Sequence, residues 1–123
     1  MDLTTVVVLG AIGYFTIFGL GFLVRPELAA RLALAPTDRS GRTEIRCYYG
    51  AVSVGLGAYF AYLLAQDQAD HALTGVLVLA SAVLLTRVVG TAVDGGWREP
   101  YTRVAIPAET AMVLVLALAK AFG

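Results

Sequence analysis

LTTVVVLGAIGYFTIFGLGFLV, Leu3 to Val24, runs for 22 residues without a charged side chain. A helix that crosses the hydrocarbon core of a bilayer needs about 20 mostly apolar residues, so this stretch reads as a membrane span. Asp2 stands where a secretory signal has its basic flank, the apolar run is longer than a signal core, and no small-x-small cleavage site precedes the basic segment that follows. A retained first helix is therefore expected. Working outward, Cys47 to Gln66 is a second charge-free run. Ala72 to Val93 is interrupted by Arg87, and Pro100 to Phe122 carries Glu109 and ends beside Lys120. The predicted fold is all-α: an integral membrane four-transmembrane-helix bundle, a single membrane domain over residues 1–123 with helices at about 3–24, 44–66, 72–94 and 100–122.

Composition agrees. Hydrophobic residues make up 59% of the 123 residues and charged ones 15%, against about 45–50% and about 25% in a soluble domain. The mean hydropathy is +0.77. Nine Lys and Arg balance nine Asp and Glu, so no net basic field points to a nucleic-acid partner. One cysteine and one histidine exclude an internal disulfide framework, a four-cysteine metal site and haem held between two imidazoles. No cofactor or metal is expected, and the expected partner is the lipid bilayer.

Charge in the connections sets the expected orientation. Arg25, Arg31, Arg39 and Arg42 lie between the first two spans, with Arg46 just inside the second, and Arg98 and Arg103 flank the start of the fourth. The connection between spans two and three holds Asp67, Asp70 and His71 without Lys or Arg. Arg-rich loops in the cytoplasm and both termini outside follow, in a plasma (inner) membrane, with Lys120 alone opposing. Trp97, Tyr101, Tyr48 and Tyr49 fit one interfacial belt and Tyr59 and Tyr62 the other. In the first loop, Pro26-Glu-Leu-Ala-Ala-Arg-Leu-Ala-Leu reads as a short amphipathic helix with Pro26 near its first position, lying on the membrane. Pro36-Thr-Asp-Arg-Ser-Gly reads as a turn leading into the second span.

Small residues recur along the spans: Gly10, Gly13, Gly19 and Gly21; Ala51, Ser53, Gly55 and Gly57; Ala82, Thr86 and Gly90. Such spacing lets helix backbones approach closely in lipid, within one chain or between subunits, so a homo-oligomer or a partner membrane subunit stays open. The chemistry rests with charges that a bilayer discourages at about 2.5–3.5 kcal/mol each. Arg87, Thr91 and Asp94 share one stripe of the third span. Arg87 lies about 10 Å above Asp94, and Glu109 about 13 Å above Pro100, on sequential antiparallel helices. An Arg87–Glu109 ion pair is predicted. Arg46, Tyr49, Gly50, Ser53 and Gly57 make a polar and small stripe on the second span. Glu44 is offset from Arg46 by about 200° and fits either the cluster or a first helical turn. Pro107 removes a backbone donor beneath the carbonyl of Arg103 and predicts a kink where Glu109 enters the bundle.

Taken together, Thr43-Glu-Ile-Arg-Cys-Tyr-Tyr-Gly50 followed by Gly55-Leu-Gly57, then Thr86-Arg-Val-Val-Gly90, Asp94-Gly95 and Pro107-Ala-Glu109 resemble a group of small bacterial four-helix membrane proteins. That group is catalogued as a domain of unknown function and is loosely similar to DoxX-like proteins. The resemblance covers nearly the whole chain and places the group's polar signature on Glu44, Arg46, Gly50, Arg87, Gly90, Gly95 and Glu109, with Ala51 a minor departure. It implies no particular reaction.

Three readings of the cluster Glu44, Arg46, Tyr49, Arg87, Asp94 and Glu109 follow. The first is a pocket for the head group of a lipid-soluble or small anionic molecule, because the Arg fork suits carboxylate or phosphate. The second is a structural or accessory subunit in which ion pairs fix register. The third is a membrane isomerase or cyclase with Glu109 as acid.

Overall fold

The computed structural model describes residues 2–122; Met1 and Gly123 lie outside the described residues. It contains α1 (Leu3–Val24), α2 (Arg39–Ile45), α3 (Val52–Ala65), α4 (Ala69–Asp94) and α5 (Pro100–Phe122). A π-helical turn, Arg46–Ala51, joins α2 to α3, so Arg39–Ala65 is one 27-residue span. Four helices are thus long and apolar enough to cross a membrane, and no strand occurs among the described residues. The all-α class and four spans are as expected. Only 11% to 28% of each apolar window is buried, and Ile17, Val93 and Phe122 stay 75%, 78% and 81% exposed. Water does not tolerate contiguous apolar surface on that scale, whereas hydrocarbon accepts it.

The chain divides into two compact units: Val8–Gln68, and residues 2–7 with 69–122. In the first, glycine sets the approach of α1 to the second span. A Cβ on Gly19 would lie 2.7 Å from the Gly50 carbonyl oxygen and from the Val54 nitrogen. One on Gly50 would meet Leu23 at 2.9 Å, and one on Gly57 would meet the Thr16 hydroxyl at 2.7 Å. The contact partners of α1 rise along the second span as α1 descends, so the two run antiparallel. Gly50, Ser53 and Gly57, expected on one stripe, are all buried. Gly10, Gly13, Gly55 and Gly90 would each carry a Cβ with nothing within 4 Å, so only part of the small-residue pattern serves close packing in the chain itself.

Between α1 and α2 the predicted short helix is a 3-10 segment, Pro26–Leu32, started by Pro26. Ala29 is fully buried and joins Phe22 and Ile45 in a core to which Leu28, Leu32, Phe18 and Tyr49 add. The segment therefore packs on the ends of α1 and α2. It stops at Ala33, whose left-handed φ of 62° an L-residue adopts at a cost of about 1–2 kcal/mol.

Helix starts differ from expectation where caps decide them. The second span begins at Arg39, not near residue 44, because the Asp38 carboxylate accepts the Gly41 N–H at 2.8 Å, a cap that contributes typically about 1 kcal/mol. Glu44 consequently lies late in α2, outside its first turn. The third span begins at Ala69 instead of Ala72. The α1 start is capped in the same way, Asp2 accepting from Thr5 N–H at 2.8 Å.

In the other unit, α4 and α5 form a hairpin. Gly95 ends α4 with φ +76°, its N–H on the Thr91 carbonyl at 2.8 Å, a left-handed closure that suits glycine. A 3-10 turn, Gly96–Arg98, then leads to Pro100 at the start of α5. Helix α5 continues through Pro107 to Phe122. At the far end of the hairpin the Lys120 Nζ donates to Asp70 at 2.7 Å. Lys120, the residue that opposed the charge rule, is thus paired with a carboxylate at the start of α4.

Candidate functional site

The α4–α5 hairpin brings Arg87 and Glu109 together. Arg87 Nε donates to both Glu109 carboxylate oxygens at 2.8 Å, and Nη2 lies 2.7 Å from Oε1. The two side chains are 25% and 21% exposed, so the pair is partly buried within the apolar hairpin but not sealed. Tyr101 completes the group: its ring centroid lies 5.3 Å from the guanidinium carbon, within cation–π range. A signal for Tyr101 was present. Tyr101, Ala105 and Glu109 recur every four residues on one face of α5, and the small, buried Ala105 leaves room between them; the belt assignment hid it. Thr91, one turn beyond Arg87, is buried, while Asp94 is exposed and has no ion pair among the described residues. Next to Pro107, the Thr110 hydroxyl donates to the Ile106 carbonyl at 2.7 Å.

The remaining sequence-predicted residues lie in the Val8–Gln68 unit and have other partners. Arg46 Nη1 donates to the Leu23 carbonyl at 2.9 Å. That carbonyl belongs to the last turn of α1, which lacks intrahelical donors and carries the negative end of the helix dipole. Arg46 thus closes the end of α1. Tyr49 packs its ring 5.7 Å from Phe22, in the apolar core under the 3-10 segment. Glu44 is exposed and lines a shallow surface depression with Arg39, Ser40 and Thr43.

A further ion pair, not expected from sequence, links the loop to the span: Arg42 Nη2 to Glu27 Oε1 at 2.9 Å. Hydrogen bonding from its own backbone N–H, then from the Arg42 side chain, holds the Glu27 carboxyl below the usual glutamate range. A carboxyl depressed in the fold contributes stability above its unfolded pKa and loses it as pH falls through the folded value. The Glu27 titration midpoint, followed by carboxyl NMR in micelles, should therefore lie below that of an unstructured glutamate. Arg42→Gln should raise it part of the way only, because the backbone hydrogen bond remains. An unchanged midpoint in Arg42→Gln would show that the pair does not form in solution.

Four long apolar helices, with ionisable side chains paired inside one helical hairpin, define a small helical protein of the multi-pass membrane class. Residues 3–120 match the family described as Domain of unknown function (DUF4345), and the chain belongs to that family. Comparison with curated proteins and with solved structures finds no match.

Proposed function

We propose that this chain is a bacterial inner-membrane binding module whose Arg87–Glu109–Tyr101 group receives the polar head of a lipid-soluble molecule. The observation that carries the reading is the incomplete burial of a charged pair inside an apolar hairpin: a quarter of Arg87 and a fifth of Glu109 remain accessible. A pair serving only to lock two helices is best fully enclosed, since exposed edges of ionised groups are costly against hydrocarbon. Arg-rich connections argue for cytoplasmic loops and outward termini, and the motif resemblance to a group of small bacterial four-helix membrane proteins argues for the bacterial setting.

Mass spectrometry of gently extracted protein tests the reading. An apolar small molecule should co-purify with wild-type chain and be lost from Arg87→Ala and Glu109→Gln. Its absence from wild type, or retention by both variants, would remove the proposal. A structural or accessory-subunit reading is favoured by one observation: the same pair joins α4 to α5 with two donors at 2.7 to 2.8 Å. The isomerase or cyclase reading gains nothing comparable, because the Glu109 carboxylate is held in a close ion pair with Arg87 and is poorly placed to act as an acid.

A further inference from the structure

We infer that the head group this site accepts is a neutral hydrogen-bond acceptor, such as an amide or ketone carbonyl on an apolar tail, and not an anion. The inference rests on the binding role proposed above and narrows its chemistry. A lone guanidinium in a membrane span would favour carboxylate or phosphate, whose geometry it matches with a bidentate fork. Here that fork is occupied. Arg87 Nε bridges both Glu109 oxygens at 2.8 Å and Nη2 reaches Oε1 at 2.7 Å, so the charge of one residue cancels that of the other.

An incoming anion has two routes, and both are costly. It can displace Glu109, which leaves a carboxylate unpaired inside the hairpin, the outcome that makes one-sided loss of a buried pair so unfavourable. Alternatively it can bind with Glu109 in place, which sets two negative charges around one positive charge at low dielectric. A neutral carbonyl meets neither penalty. It needs one donor, and Glu109 engages the guanidinium through Nε and Nη2, which leaves further N–H groups of the five that Arg87 carries. Tyr101 stands beside the guanidinium and brings a phenol that can donate or accept. Asp94, seven residues along α4, is itself an acid and supplies no compensating positive charge. The apolar faces of α4 and α5, exposed at Leu85, Val89 and Met112, offer a surface for the tail.

Two amphiphiles with one tail and different heads test this: oleamide and oleate, compared at equal mole fraction in micelles containing the full chain, with bound probe counted by native mass spectrometry. Wild type should prefer oleamide by about tenfold or more, a difference of about 1.4 kcal/mol, and Arg87→Ala, which removes the donor, should abolish that binding. Glu109→Gln frees the guanidinium and should reverse the preference toward oleate. Wild-type binding of oleate that matches or exceeds oleamide and depends on Arg87 would overturn the neutral-head inference and leave the binding role standing. If neither probe binds in an Arg87-dependent way, the binding role fails with it. Should Glu109→Gln not fold, the wild-type preference alone decides.

Discussion

Gly19→Ala, the addition of one methyl group, should destabilise the protein by about 1–3 kcal/mol, while Gly13→Ala should change little. The added Cβ at Gly19 falls 2.7 Å from two backbone atoms, the Gly50 oxygen and the Val54 nitrogen. Neither can move without shifting a helix. At Gly50 the first obstacle is the Leu23 side chain at 2.9 Å, with backbone at 3.1 Å, and at Gly57 it is the Thr16 hydroxyl at 2.7 Å with backbone only at 3.5 Å. A hydroxyl can rotate away, so the expected order of damage is Gly19, then Gly50, then Gly57, with Gly13 near neutral. SDS titration of the detergent-solubilised variants, followed by circular dichroism, measures the order. Equal effects at Gly19 and Gly13 would mean that α1 does not rest on the π-helical turn as described.

The same contrast shows what a sequence carries and what it hides. Spans were legible because apolar runs of this length have no other use for so little charge, and the Arg87–Glu109 pair was legible because depth along a helix can be counted from its end. Pro26 marked its segment by fixed φ and a missing donor. By comparison, the π-helical turn at Arg46–Ala51 has no compositional mark, although Gly50, Ser53 and Gly57 still fall on the buried side of the span. The acceptor of Arg46 is a backbone carbonyl, that of Leu23, and any residue supplies one. Asp38 sits in a stretch of turn-forming composition, yet its carboxylate sets the helix start. Tyr49 and Tyr101, both assigned to an interfacial belt by type, turned out to depend on neighbours: a phenylalanine core for one, a guanidinium for the other.

The Arg87–Glu109 pair itself should show the second large effect, and its pattern separates a lock from a binding site. Arg87→Glu alone sets two carboxylates together on the hairpin, and Glu109→Arg alone sets two guanidinium groups together. Removal of one partner from a buried pair costs about 3–5 kcal/mol; with a fifth to a quarter of each side chain accessible, the lower end applies to neutral truncation, and charge reversal should exceed it. Combining Arg87→Glu with Glu109→Arg restores opposite charges across the same two helices, so most of the lost stability should return in the SDS titration. Tyr101 does not move with the swap: its ring lies by residue 87, where the exchanged chain carries a carboxylate and loses the cation–π contact. A chain that recovers stability but no longer retains its apolar ligand has a pair whose polarity matters to recognition. Recovery of both would place the pair among structural locks. No recovery of stability would mean that Arg87 and Glu109 are not coupled in the membrane, and the site built on them would fall.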